Sequence, residues 1–137
     1  MTPSNSVITL SGRILLSVVF LISGLFKVAG YSQIVSYAAA AHLPAPGVAI
    51  ALAAVAELGC GLAILAGFKT RIAAWILFLY LIPTSFIFHN FWAVQGMEQQ
   101  TQMVNFIKNV AIMGGLLLLS VNGAGAYSAD AALAKKS

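Results

Sequence analysis

Four long apolar stretches joined by short polar segments decide what this chain can fold into. They run roughly over 8–28, 47–66, 72–91 and 103–121. Each is close to the ~20 residues that carry a helix across a ~30 Å hydrocarbon core. Charge is nearly absent: 7% of the 137 residues are Asp, Glu, Lys or Arg, 61% are hydrophobic, and mean hydropathy is +0.96. Soluble domains carry about 25% charged residues, so the bilayer must be the solvent. Backbone in lipid has to satisfy its own hydrogen bonds, which leaves helices or a closed barrel. Runs of Ala, Leu and Gly without alternation favour helices. The expectation is an all-α chain: one membrane domain over 1–137, a four-transmembrane-helix bundle.

The connections fit that architecture. Tyr31–His42 is semi-polar and too short to span, so it reads as a short interfacial helix between the first two spans. Leu43-Pro44-Ala45-Pro46 breaks the chain and starts the second span. Gly67-Phe68-Lys69-Thr70 makes a tight hairpin between the second and third spans, and Pro83 marks a kink in the third. Ala93–Gln102 reads as a polar loop, and the segment after Val121 as a short surface tail. The N-terminus lacks the basic region and cleavage pattern of a secretory signal, so the first apolar run is expected to remain as a helix.

Composition also excludes functions. Cys60 is the one cysteine, which rules out an intrachain disulfide or a CxxC redox pair. The net charge of +4 comes from basic residues at helix ends, where they set topology and meet lipid headgroups. No basic run tracks a nucleic acid. No metal cluster, nucleophile triad or phosphate loop is visible. Haem ligation by His42 and His89 is disfavoured, because His42 sits beside a proline turn and only His89 is placed on a spanning helix.

Orientation follows from charge. Four spans put both termini on one side, with Arg13, Lys69, Arg71, Lys135 and Lys136, and cytoplasmic loops carry the basic excess. Both termini are therefore expected in the cytoplasm. Arg13 and Lys27, near the two ends of the first span, can snorkel.

Four ionisable residues in the spans have no cheap reason to be there: Lys27, Glu57, His89 and Lys108. Charge in hydrocarbon is costly, so such residues face a bundle interior, find partners and mark functional sites. Glu57 falls ~16 Å down its helix from Pro46, near the midplane. The other three fall in the outer half. Ser23 and Lys27 share a face, as do Ser85 and His89, and Asn105, Lys108 and Asn109 form a third polar face. The candidate ligand-binding set is therefore Lys27, Glu57, His89, Asn105, Lys108 and Asn109, around a pocket opening outward, with Lys27 or Lys108 within reach of Glu57. Structural alternatives stand beside it: an interfacial lysine at 27, an aromatic belt around Phe88-His89-Asn90-Phe91-Trp92, and a buried ion pair at Glu57. Cys60 reads as a small packing residue and His42 as a loop residue.

The ordered set Gly12-Arg13, Ser23-Gly24-Leu25-Phe26-Lys27, Leu43-Pro44-Ala45-Pro46, Glu57, Gly67-Phe68-Lys69-Thr70-Arg71, Phe88-His89-Asn90-Phe91-Trp92, Asn105-Phe106-Ile107-Lys108-Asn109 and Gly123–Asp130 resembles the DoxX family of small bacterial and archaeal membrane proteins. The resemblance covers nearly the whole chain. It implies a bacterial cytoplasmic (inner) membrane location and a link to quinone-coupled redox chemistry, and many family members are labelled oxidoreductases. It carries no catalytic residue set to transfer.

Three functions follow as expectations. The first is a quinone- or quinol-binding subunit served by a redox partner protein, since the chain has no electron carrier of its own. The second is a binding or transport protein for a small hydrophobic or weakly acidic solute, which would work as a homodimer. The third is an assembly subunit in which the buried charges only fix packing.

Overall fold

The computed structural model describes residues 3–135. All regular elements among them are helical: α1 (Pro3–Ala29), α2 (Tyr31–Ala40), α3 (Pro46–Ala66), α4 (Thr70–Phe88), a 3₁₀ turn (Phe91–Ala93), α5 (Gly96–Asn122) and α6 (Ala129–Ala134). Four helical segments are long and apolar enough to cross a membrane. The ten-residue α2 lies between the first two spans.

The long helices are bounded by local chemistry. Pro46 starts α3, where its missing N–H costs nothing. Gly67 ends it in the left-handed region at φ 71°, and its N–H bonds back to the Ile64 carbonyl. Pro83 lies inside α4, where it removes one backbone hydrogen bond. Charge and polarity hide two helix starts from the sequence. α1 begins five residues before Ile8, and α5 begins at Gly96 rather than Met103. The Met97–Gln102 segment consists mostly of good helix formers, with Glu98 in the first turn. Its polarity says only that this stretch leaves the apolar layer, not that it leaves the helix. α4 stops at Phe88, so His89 caps that helix, although the apolar segment that can cross the membrane continues to Ala93.

The helices form a ring with one thin seam. α1 packs along α3, α3 against α4, and α4 along α5, whereas α5 and α1 touch only sparsely. Small residues allow the closest approach. A Cβ on Gly24 would lie 2.7 Å from the Leu58 side chain, and one on Gly61 3.1 Å from Leu21. Phe20, Ile64, Ala74, Leu77, Leu81 and Leu116 are the buried centre.

One expectation is corrected at the end that carries the termini. Arg13 does not snorkel: it is 2% exposed. Its Nε and Nη2 donate to the Ile64 and Leu65 carbonyls at 3.1 and 3.0 Å, and Nη1 donates to the Ala124 and Tyr127 carbonyls. The tail lies at the surface, as expected, and is tied to the α3–α4 hairpin. Asp130 accepts from the backbone N–H groups of Lys69 (2.7 Å) and Thr70 (3.1 Å), capping α4 from a distance, while its own N–H donates to the Gly67 carbonyl. Ser128 caps α6. Lys136 lies outside the described residues.

Candidate functional site

Glu57 sits on the twelfth residue of α3 and is 3% exposed. A lone carboxylate there would be costly, and it is not alone. Lys27 of α1 places its ammonium 3.0 Å from Oε1 and 2.9 Å from Oε2. The Tyr80 hydroxyl of α4 donates to Oε1 at 2.8 Å, and the Ser23 hydroxyl donates to the same oxygen at 3.2 Å. Lys27 also donates to Ser23 Oγ at 2.9 Å. Three helices thus meet on one carboxylate. Gly24 makes this possible, because its absent Cβ would stand 3.3 Å from the Glu57 Cβ, holding α1 against α3 at this level.

Of the two lysines expected within reach of Glu57, Lys27 is its partner and Lys108 is not. Lys108 is exposed on α5 and donates to Asn105 Oδ1 at 3.0 Å, one turn away. Asn109, 7% exposed, donates its amide to Ser85 Oγ at 3.1 Å and so joins α5 to α4. His89 Nδ1 lies 2.8 Å from Gln102 Oε1. An amide oxygen only accepts, so Nδ1 carries the hydrogen, and in the neutral ring Nε2 is left as an acceptor. His42 is exposed in the α2–α3 linker. Among the described residues no group of three or more His, Cys, Asp or Glu can hold a metal ion.

Two cavities adjoin the Glu57 network. One, of about 520 Å³, is a cleft at the thin α1–α5 seam, and Lys27, Glu57, His89, Lys108 and Asn109 all line it. Its α1 wall includes Ile22 and Phe26, which are 48% and 68% exposed and so face the lipid side. Asn105 does not line it and only accepts the hydrogen bond from Lys108. The other, of about 440 Å³, is a chamber roofed by α2 and floored by Tyr80 and Thr84. The cavities share Ser23, Lys27, Ile34, Thr84 and His89 as a common wall.

Sequence reasoning missed Tyr80, Thr84 and Gln102 as members of this region. Tyr80 carried a usable signal: a tyrosine belongs at the membrane interface, whereas this one is ten residues into a 19-residue spanning helix. Gln102 carried none, because the helix that aims it at His89 was hidden by its polarity.

The family model DoxX matches residues 8–90, which include Lys27, Glu57, Tyr80 and His89. The chain is 37% identical to inner membrane protein YphA of Escherichia coli over 127 residues, covering 93% of this chain and 91% of the relative. It is 43% identical over 91 residues to inner membrane protein YqjF of the same organism, covering 66% of each. A shorter match, 34% over 64 residues, is to the ER-derived vesicles protein ERV29 of Saccharomyces cerevisiae, covering 47% of this chain and 21% of the relative. No solved structure matches.

Proposed function

The chain belongs to the DoxX family as a multi-pass inner-membrane protein, and from that premise we propose that it binds a quinone or a quinone-like apolar carbonyl compound in the cleft between α1 and α5. The supporting observation is the convergence of Lys27, Glu57, His89, Lys108 and Asn109 on one lipid-side cavity of about 520 Å³. A quinone needs an apolar slot reachable from the bilayer and a donor for its carbonyl oxygen. Lys108 spends one hydrogen on Asn105, and Asn109 spends one on Ser85. Each retains at least one donor for a ligand. Reduction of a quinone takes two electrons and two protons. A redox partner protein supplies the electrons, while Glu57 and His89 are the proton-carrying groups nearest the cleft. With both termini in the cytoplasm, the cleft lies in the outer half of the bilayer.

The test is a titration of a short-chain ubiquinone analogue against the protein in nanodiscs, followed by Trp92 fluorescence. Trp92 packs on Phe86, Phe91 and Phe106 and follows His89, a cleft-lining residue, by three positions. Wild type gives a saturable quench beyond that of empty nanodiscs. Lys108→Ala weakens it about tenfold, as loss of a charged hydrogen bond of about 1.5 kcal/mol or more requires. A response that does not saturate in wild type overturns the proposal.

One observation favours a second reading. The Glu57 carboxylate already accepts from Lys27, Tyr80 and Ser23, which is what a purely structural ion pair looks like. Glu57→Gln separates the two. Under the ligand reading, quinone binding by the folded fraction falls, over and above the stability lost with the ion pair. Under the structural one, detergent stability falls and binding by the folded fraction is unchanged.

A further inference from the structure

The chamber beneath α2 differs from the cleft in the polarity of its hydrogen-bonding groups. At its floor the Tyr80 hydroxyl gives its hydrogen to Glu57, and the Thr84 hydroxyl gives its own to the Tyr80 carbonyl at 2.8 Å. The Ser23 hydroxyl donates to Glu57, and the Lys27 ammonium is spent on Ser23 and both carboxylate oxygens. His89 gives Nδ1–H to Gln102. What these groups still offer is lone pairs: on Tyr80 Oη, Thr84 Oγ1 and His89 Nε2. The donors of Lys108 and Asn109 face the cleft and line no part of the chamber.

The remaining walls are apolar. Ile50 and Ala53 of α3 face Pro83 and Ile87 of α4, and the rings of Tyr37 and Phe88 stack at 5.9 Å along the roof. Tyr37, 55% exposed, lines the chamber from α2 on the side opposite the Tyr80–Thr84 floor. The roof is fixed at its other end by the Tyr31 hydroxyl, which donates to the Gly47 carbonyl at 2.8 Å. A volume of about 440 Å³ lies within the ~300–1,000 Å³ of small-molecule sites.

We infer that this chamber is a separate binding site for a small neutral aromatic alcohol, a phenol or hydroquinone, whose O–H donates to Thr84 Oγ1 at the floor, beside the Tyr80 oxygen. An acceptor-only floor leaves a carbonyl compound unpaired, which is costly in a buried site. A cationic donor finds no free carboxylate there, because Glu57 is already paired with Lys27. The two cavities then differ in what they select: hydrogen-bond acceptors in the cleft, donors in the chamber. The chamber assignment stands on its own floor chemistry and does not need the cleft to be occupied.

The experiment compares 4-propylphenol with its methyl ether, 4-propylanisole, by isothermal titration of the protein in nanodiscs, with empty nanodiscs subtracted. The phenol binds saturably and the ether at least tenfold more weakly. Thr84→Val, which keeps the shape and removes the acceptor, lowers phenol affinity severalfold. Ala53→Phe fills the chamber and abolishes phenol binding while the ubiquinone-analogue quench at Trp92 stays within about threefold. Should Ala53→Phe fail to fold, Thr84→Val and the ether comparison still decide. Equal binding of phenol and ether, phenol uptake no greater than by empty nanodiscs, or an unchanged phenol affinity in Thr84→Val each overturns the inference. Loss of the Trp92 response alone would sink the quinone cleft and leave the chamber standing.

Discussion

Glu57 is the residue whose sequence position says most, because no interface explanation reaches the midplane of a bilayer. Its partner could not be read with equal force. Lys27 and Lys108 both carry four-carbon stems, and spacing along a helix does not choose a rotamer; the close α1–α3 contact at Gly24 does, by bringing Lys27 alongside. Breaking one side of a buried pair leaves the other uncompensated, typically costing about 3–5 kcal/mol. Lys27→Met should therefore lower the unfolding midpoint in detergent sharply, and adding Glu57→Gln in the same chain should restore part of it. Strictly additive losses would show that the two side chains do not act as a unit. Arg13 was misjudged from sequence because a basic residue near a helix end looks like an anchor. The planar guanidinium, with five donors, reaches carbonyls on α3 and on the segment after α5 together, and a lysine has no equivalent fork. Arg13→Lys is expected to cost about 2–4 kcal/mol, the loss of one or two charged hydrogen bonds, as measured by thermal unfolding.

At the level of elements, the four spans and α2 were legible because hydrophobic length is a physical requirement of the bilayer. Helix ends outside the apolar layer were not. The polarity of Met97–Gln102 marks the membrane boundary, while the helix itself is decided by propensity and by Glu98 at its first turn. Close helix approach was legible only as a general richness in small residues. Which glycine matters depends on what stands opposite. Gly24→Ala drives a methyl group to 2.7 Å from Leu58 in the contact that supports the Lys27–Glu57 pair, so a loss of about 1–3 kcal/mol is expected. Gly12→Ala and Gly114→Ala meet nothing within 4 Å and should change stability by no more than about 1 kcal/mol. Unfolding midpoints of the three variants side by side check the ordering. If Gly24→Ala proved as benign as Gly12→Ala, the α1–α3 contact would be looser than described.

For the whole molecule, the seam between α1 and α5 was not readable in the sequence, because residues facing a cleft and residues facing lipid are drawn from the same apolar set. Val18, Val19 and Ile22 serve on the cleft wall while remaining 41–48% exposed. The orientation of that cleft depends on charge, and the structure refines the count. Lys27 is neutralised by Glu57 and so drops out of the outer tally. Arg13 is turned inward onto backbone carbonyls and the exposed Arg71 donates to the Ser120 carbonyl at 3.1 Å, yet both stay at the end that carries the termini. That end keeps Arg13, Lys69, Arg71 and Lys135 against Asp130, and the opposite end has Lys108 and Glu98. The basic excess still favours the termini side, so the proposed orientation, with both termini cytoplasmic, keeps its support from the positive-inside rule. A fluorescent protein fused after Ser137 should therefore fold and fluoresce, and alkaline phosphatase fused at the same point should be inactive. The reverse pattern would turn the cleft and the chamber towards the cytoplasm, and any ligand exchanged through them would have to come from the inner leaflet.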